Sequence, residues 1–415
     1  MNRFKSWCDY LWYVVRHDKF ILIASVIDAF LLGYVLYTLR SDLSEAKTWI
    51  IFGIILFSFL WQAYNVWSHW KSTIKSVNYE ISDEPIVNLK YSEGDDSKGD
   101  AEGDKFILSN DMQKAYAQIP GIPQYVEPTQ DLSESFFSNN PIQIQEKEHH
   151  VTEVNEYVQS VWTRVQLFLN VEMHKEGNFF NEKKLCMTSE IKPAQNGGWE
   201  VFVCKGEYYN SYVTNSVFNR TLKEKTTGVE IYPIYNAQNY IIPLLHDSKL
   251  SNHIGVSSLI TSNDGTSYMI RQNTKAVENS GKIVPTGSGS VDYQDAKGCQ
   301  YLQQVIIKAA ERELFEETTF NAELLRNKVT TKIIGFYRDL SRGGKPEFCC
   351  VTEVDLPSAS LADLIVPQVQ EQYTGERIPL SKNDFADGLK LRNPSSTLLA
   401  NIYFWEKYQE QKEAQ

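Results

Sequence analysis

The sequence has no excess of positive charge and no cysteine pattern typical of a small domain stabilised by disulfides. It carries 41 Lys and Arg against 52 Asp and Glu, which argues against a broad electrostatic grip on a DNA or RNA duplex. With no C-x-x-C spacing, neither a zinc site nor a disulfide framework is predicted, and we expect reduced thiols. The six cysteines are Cys8, Cys186, Cys204, Cys299, Cys349 and Cys350.

Two apolar windows, 20–39 and 48–67, stand near the N-terminus. Each has the ~20 residues needed to cross a hydrocarbon core of ~30 Å. A second window after a short polar loop argues against a cleaved signal peptide. Four basic residues precede the first window, so the positive-inside rule places both termini in the cytoplasm. The sequence therefore predicts a two-pass membrane protein.

Polar residues inside these windows are candidates for function. Asp28 lies near the middle of the first window, where a charged carboxylate costs about 2.5 to 3.5 kcal/mol. In the second window, Ser58, Gln62, Asn65 and His69 fall on one helical face. Two interpretations stay open: interhelical hydrogen bonds that hold a homo-oligomer together, or the wall of a conduit that opens on activation. In the second case Asp28, Gln62 and Asn65 are the residues through which the activated protein would act on the membrane, and we call them the membrane output.

Composition divides the rest of the chain after a membrane region at 1–80. Residues 81–104 are predicted to be a linker, because the acidic and Gly-rich stretch within them cannot bury enough surface to offset chain entropy. Residues 105–184 are mixed, with a helix predicted where apolar residues recur from Val154 to Phe168. Residues 185–415 are predicted to form one domain that begins with short strands.

The segment KGCQYLQQVIIKAAERELFEETTFN carries the pattern most informative about chemistry. Its apolar residues recur every three to four positions, which predicts a helix over 302–318. Glu313, Glu316 and Glu317 then lie on one face. Three adjacent carboxylates repel one another, so the pattern indicates a bound cation, for which Mg²⁺ is the candidate. The plain alternative is that they are solvated charges paired with Arg312 and Lys308.

This segment resembles the Nudix box, written G-x5-E-x7-R-E-U-x-E-E-x-G-U with U aliphatic. Gln304 replaces the first Glu, and Thr319 replaces the Gly that ends the helix, where Asn321 could provide the left-handed cap. The matching residues are Gly298, Arg312, Glu313, Leu314, Glu316 and Glu317.

The resemblance continues on both sides of the box, over roughly residues 185 to 410. It implies an α+β fold in which an α/β/α sandwich contains a mixed sheet, with a Gly-rich turn before the box and a hairpin around Gly343 and Gly344 after it. It also implies that Glu313 acts as a general base while Glu316 and Glu317 hold Mg²⁺. Candidate nucleotide-binding residues are Gly287, Gly289, Arg312, Arg338 and Arg342.

Two spans followed by such a domain are similar to the SMODS-associated Nudix membrane effectors of cyclic-oligonucleotide antiphage systems (CBASS). The stretches YYNSYVTNS at 208–216 and PTGSGSVD at 285–292 add to this resemblance. It implies a bacterial inner-membrane location, a cyclic oligonucleotide as ligand, and abortive infection through membrane disruption.

Two functions remain open, and the sequence favours the first. A signal-gated effector would bind the nucleotide and pass the binding energy to the membrane helices, which gives Asp28 a role. A membrane-anchored pyrophosphohydrolase would instead use the acidic trio with Mg²⁺ to cleave diphosphate-linked nucleotides.

Overall fold

A computed structural model of the protein describes residues 2–17, 30–31, 33–34, 37, 49, 52–53, 55–60, 64, 79–82, 107–174, 179–233, 241–272, 279, 281–317, 328–364, 377–380 and 393–414. The helices of this structure include α1 (Asn2–His17), α2 (Asn110–Ala115), α3 (Glu134–Asn139), α4 (His149–His174), α5 (Tyr208–Ser211), α6 (Leu302–Glu317), α7 (Ser358–Leu364) and α8 (Ser396–Ala414). A π-helical turn, Tyr212–Ser216, continues α5.

The described strands are β1 (Tyr79–Ile81), β2 (Ile107–Leu108), β3 (Tyr116–Gln118), β4 (Tyr125–Pro128), β5 (Ile142–Glu146), β6 (Lys183–Met187), β7 (Lys192–Pro193), β8 (Trp199–Glu207), β9 (Leu222–Glu224), β10 (Glu230–Ile231), β11 (Ile241–Ile242), β12 (Gly255–Ser262), β13 (Ser267–Arg271), β14 (Ile283–Pro285), β15 (Gly287–Ser290), β16 (Val329–Asp339), β17 (Lys345–Val354) and β18 (Arg377–Leu380).

These strands form several sheets. The largest has the order β14-β13-β12-β17-β16-β4-β3, with β15 paired to β12 and β18 paired to β13. It is mixed, because β12 and β17 are parallel while the other pairs are antiparallel.

The chain divides into two compact units. One comprises Met1–Glu84, Asn155–Asn181 and Arg220–Tyr235, and the other comprises Pro85–Val154, Glu182–Asn219 and Asn236–Gln415. Most of the predicted linker, residues 83–104, lies outside the described residues.

The first unit packs α1 against α4. The ring centroids of Tyr13 and Trp162 are 5.7 Å apart, and Ser6 Oγ donates to the backbone oxygen of Phe179 at 2.5 Å. The helix predicted from the apolar residues between Val154 and Phe168 is confirmed as part of α4, and that apolar face is buried. A three-stranded antiparallel sheet, β1-β9-β10, belongs to the same unit.

The prediction of two transmembrane helices is wrong. Among the described residues, no helix combines the length and the apolar character that crossing a bilayer requires. The windows 20–39 and 48–67 are apolar in composition, but an apolar window alone does not establish a span of about 20 helical residues. The two-pass inner-membrane location depended on the same two spans and is corrected with them.

In the second unit, helices cover both faces of the large sheet. Leu259 and Met269 belong to the core that α8 completes. Their chain neighbours Ile260 and Tyr268 pack instead with Leu314 of α6 and with α7. Because successive strand residues point to opposite faces, the sheet lies between α8 on one side and α6 with α7 on the other. This sandwich places the acidic face of α6 beside β15.

The local predictions around α6 are confirmed. The helix covers Leu302–Glu317, within one residue of the predicted range. The chain then returns as the hairpin β16–β17, whose turn uses Gly343 at φ 66° and Gly344 at φ 77°. Glycine suits this turn because a side chain is strained at positive φ.

All six cysteines carry free thiols.

Candidate active site

The Gly-rich strand β15 lies directly against the acidic face of α6. A Cβ placed on Gly287 would lie 2.8 Å from the Leu314 Cα, and a Cβ on Gly289 would overlap the Glu313 carboxylate. The backbone N–H of Ser288 donates to Glu317 Oε2 at 3.0 Å. The two glycines therefore allow the strand to approach the helix closely beside these two carboxylates, while the nucleotide-binding role of Gly287 and Gly289 stays a prediction.

Glu313 and Glu317 share a poorly solvated environment. Burial raises the pKa of Glu313 to about 7, although the Arg312 charge opposes this shift. Burial and the neighbouring Glu313 charge raise the pKa of Glu317 well above its usual value, against the hydrogen bond from Ser288. A carboxyl with a pKa near neutrality can exchange a proton at physiological pH. We call these two residues the carboxylate pair.

Glu316 does not join the carboxylate pair. Its side chain is 61% exposed and forms an ion pair with Arg312 Nη1 at 3.1 Å. The same guanidinium nitrogen donates to Glu313 Oε1 at 3.0 Å. Within the part of the chain that the structure describes, no group of three or more His, Cys, Asp or Glu side chains is arranged to hold a metal ion. The predicted acidic trio is therefore arranged as a pair and one outlying residue.

Arg312 is fixed by a carboxylate that lies outside the helix. Its Nε donates to both oxygens of Asp295, at 3.2 and 3.3 Å, and its Nη2 donates to Asp295 Oδ2 at 3.0 Å. Nη2 also donates to the backbone oxygen of Ser290 at 2.9 Å. Asp295 is buried and sits in a reciprocal capping box with Asp292. Arg312 thus joins α6, β15 and the 292–295 turn.

Gln304, the departure from the box motif, has a structural role. Its Oε1 accepts the backbone N–H groups of Gln300 and Tyr301 at 2.9 and 3.2 Å. The side-chain oxygen therefore closes the loop that enters α6. An amide oxygen performs this role without a negative charge, so the Glu-to-Gln departure leaves the helix entry intact.

The carboxylate pair fits a divalent cation. Burial raises the pKa of both carboxyls, and the Glu313 charge raises that of Glu317 further, so a nearby positive charge would help both to ionise. Mg²⁺ is commonly held by one or two carboxylates, with substrate phosphate oxygens and waters completing its shell. Glu317 would supply a protein ligand of the cation, and Glu313 beside it would act as the base. Glu316 is the less suitable of the predicted metal residues because its side chain is 61% exposed.

Arg338 and Arg342, two of the three arginines predicted to bind a nucleotide, have different surroundings. Arg338 is fully buried, donates to the backbone oxygens of Gly344 and Pro243 at 2.6 and 3.0 Å, and pairs with Glu190 at 3.3 Å. Those contacts fix the hairpin turn and give Arg338 a structural role. Arg342 keeps 19% exposure and lies 3.5 Å from Glu347.

Several predicted residues cannot be placed. Asp28, Gln62 and Asn65, the candidates for a membrane output, lie outside the described residues. The same holds for Thr319 and Asn321 at the end of the box.

Asp295 and Ser288 were missed by the sequence interpretation. The spacing Asp292-x-x-Asp295 signals a helical cap, which could have drawn attention to the turn. Its partner Arg312 stands 17 positions further along the chain, and no local pattern links them. Ser288 acts through its backbone N–H, which any residue at that position would offer.

No protein-family model and no curated protein sequence match the chain. Solved structures that resemble part of it include the MutT protein from Methanosarcina mazei Go1, at 16% identity and TM-score 0.25, covering 39% of this chain and 95% of that one. Tm1382, described as a putative Nudix hydrolase, has 11% identity and TM-score 0.26, covering 37% of this chain and 71% of that one. DR0079 from Deinococcus radiodurans has 12% identity and TM-score 0.26, covering 36% and 80%. At such TM-scores a likeness decides neither family nor activity.

Proposed function

We propose that this chain binds a phosphoanhydride-containing nucleotide at the carboxylate pair and hydrolyses it with the help of Mg²⁺. The observation that supports this most is the position of Glu313 and Glu317 against the backbone of β15, where burial raises both pKa values. A structural helix face gains nothing from two partly buried like charges, whereas a site that receives a cation and a phosphate does.

The residues have distinct roles in this proposal. Glu313, whose pKa is about 7 without a metal, accepts the proton of the attacking water. Glu317 stays oriented through the bond from Ser288 N–H. Arg312 bonds to Glu313 and is fixed by Asp295, so it maintains the position of the base. When bound, Mg²⁺ would neutralise the charge that develops on the anhydride oxygens.

The test is hydrolysis of a panel of diphosphate-linked nucleotides with Mg²⁺, followed by ³¹P NMR. Glu313→Gln should reduce turnover by about 100-fold or more, the usual contribution of a positioned general base. Glu311→Gln is the matched control, because Glu311 is on the same helix but interacts with Thr331 instead. Equal turnover in wild type and Glu313→Gln would reject the proposal.

One observation favours a second candidate, binding of a nucleotide without turnover. Glu316 pairs with Arg312 at the exposed side of the helix, which leaves two carboxylates beside β15, and binding without turnover needs no more than these. The cyclic oligonucleotide implied by the resemblance would be such a ligand. Tight binding of a cyclic oligonucleotide by the full chain, with no product from any substrate of the panel, would select this candidate.

A further inference from the structure

A cavity of about 480 Å³ opens beside the edge of the large sheet, away from the carboxylate pair. Residues of β3, β16 and α8 line it, together with the segment 127–133 at the end of β4. None of its described lining residues belongs to α6 or β15. Binding sites for small organic molecules have volumes of roughly 300 to 1,000 Å³, so this cavity is a candidate for a second, separate binding site.

A proline explains why the sheet opens at this point. The backbone N–H of Leu340, after β16, donates to the backbone oxygen of Gln124, before β4, at 2.8 Å. Bonded pairs recur at every second residue of an antiparallel ladder, so the register of β4 and β16 would place Pro128 opposite Phe336 in such a pair. Proline has no N–H to donate, and the pairing ends before it. The segment 128–133 therefore leaves β16, and the cavity lies between them.

The inner wall of the cavity is apolar and largely aromatic. Ile334 of β16 and Phe404 and Tyr408 of α8 belong to the buried core of the second unit, so this part of the wall does not depend on a ligand. Phe336 and Leu132, which are also buried, complete it. Aromatic side chains pack favourably against another ring in offset or edge-to-face arrangements. The wall therefore favours a ligand with an aromatic ring.

The charged groups of the lining leave one carboxylate without a cation. Lys407 Nζ donates to both carboxylate oxygens of Glu127, at 3.1 and 2.9 Å, so these two charges offset each other. Asp131 is exposed, and its Oδ1 accepts the backbone N–H of Ser133 at 3.0 Å. Among the residues that the structure describes, no lysine or arginine pairs with Asp131. Its charge attracts a cation and repels an anion, which favours a positively charged ligand.

An unsatisfied donor is an independent indication of a ligand. Gln130 lines the cavity, and its Nε2 is buried with no hydrogen-bond partner in the described part of the chain. A buried donor without an acceptor is unfavourable. Rotation of the amide toward the cavity would let Nε2 donate to an oxygen of a ligand.

We propose that this cavity binds a small organic cation whose aromatic ring carries a hydroxyl or carbonyl oxygen. The ring packs among Phe336, Phe404 and Tyr408. The cationic group lies beside Asp131, and the oxygen accepts a hydrogen bond from Gln130. This site does not depend on the proposed function, because neither residue of the carboxylate pair lines the cavity.

Tyramine is the probe, because it combines a phenol ring and an ammonium group in a molecule small enough for the cavity. Calorimetric titration of tyramine into the full chain should give a Kd below about 1 mM. Two matched compounds separate its groups: para-ethylphenol lacks the amine, and phenethylamine lacks the hydroxyl. Each should bind about threefold more weakly or worse, and the anion para-hydroxyphenylpropionate should bind more weakly than either.

Substitutions then locate the tyramine. Ala117→Trp should weaken its binding by about tenfold or more, because Ala117 lines the cavity and the larger side chain would fill part of it. Gln118→Trp is the matched control, since the next residue of β3 is also exposed but points to the other face.

Two further substitutions test the polar contacts. Asp131→Asn should weaken tyramine binding by about threefold and leave para-ethylphenol unaffected. Gln130→Met should remove the advantage of tyramine over phenethylamine. Thermal melts verify that each variant is folded.

Unchanged tyramine affinity in a folded Ala117→Trp would overturn the proposal, as would binding of para-hydroxyphenylpropionate as tight as that of tyramine. Loss of tyramine binding in Glu317→Gln would also overturn it, since the amine would then lie at the carboxylate pair. Affinity that falls in Ala117→Trp and is unaffected by Glu317→Gln would support the separate site, whether or not the chain hydrolyses a nucleotide.

Discussion

Asp295 binds the guanidinium of Arg312 through both carboxylate oxygens, at distances from 3.0 to 3.3 Å. The carboxylate is buried, while Arg312 keeps 23% side-chain exposure. This pair connects the turn before the helix to the helix that carries the candidate base. Both the stability of the fold and the orientation of Glu313 should depend on it.

Asp295→Ala should therefore lower the free energy of unfolding by about 2 kcal/mol or more, because Arg312 would lose its buried counter-charge. Urea unfolding measures this change. The control is Asp111→Ala, since the Asp111–Lys114 pair is more than two-thirds exposed on both sides and should contribute less than about 1 kcal/mol. Equal losses in the two variants would contradict the role of Asp295.

Gly289→Ala should reduce turnover by about 100-fold while the fold is retained, because the added methyl group would displace the Glu313 carboxylate from its reactive position. Steady-state kinetics and a thermal melt measure the two effects. Gly53→Ala serves as the control, since a Cβ at Gly53 meets no atom within 4 Å. Full activity in Gly289→Ala would show that Glu313 needs no such fixed position.

Gln304→Glu should leave both stability and turnover close to wild type, because a carboxylate oxygen can accept the same two backbone N–H groups. Gln304→Ala should lose about 1 kcal/mol of stability, as for a removed helix cap. Thermal unfolding of both variants measures this. A large rise in Mg²⁺-dependent turnover for Gln304→Glu would mean that the departure from the motif had weakened the site.

Asp339 makes stability depend on pH. Burial raises its pKa from 3.8 to about 6, although Arg342 opposes the shift. Because the folded state holds the proton more tightly, this stabilisation is complete below about pH 4 and is lost as the pH rises through 6. The loss amounts to about 3 kcal/mol. Asp339→Asn should flatten the fall in unfolding free energy between pH 4 and 7, and an unchanged slope would contradict the assignment.

The sequence predicted the local elements of the site well and its long-range partners poorly. Helical periodicity located α6, and the paired glycines located the β16–β17 turn, because both patterns are read within a few residues. The contact of Arg312 with Asp295 depends on packing between segments that are distant in the sequence. The spacing of residues along the chain does not predict such contacts.

The transmembrane prediction and the acidic trio show two limits of pattern reading. Hydropathy counts apolar residues in a window, but no helix among the described residues has the length and apolar character of a span. Helical spacing put Glu313, Glu316 and Glu317 on one face, but that face is wide. Glu316 pairs with Arg312 at the exposed edge of the helix, while β15 covers Glu313 and Glu317. The position of the neighbouring strand therefore determines which carboxylates lie next to each other.

Glu317 would hold the cation in the proposed site, while Glu313 would act as the base and Glu316 would take no part. Mn²⁺ binding measured by electron paramagnetic resonance in the presence of pyrophosphate tests it most directly. Glu317→Gln should weaken Mn²⁺ binding by about tenfold or more, and Glu313→Gln and Glu316→Gln should each change it by less than about threefold. Loss of binding in Glu316→Gln equal to that in Glu317→Gln, or retention in all three variants, would contradict the account.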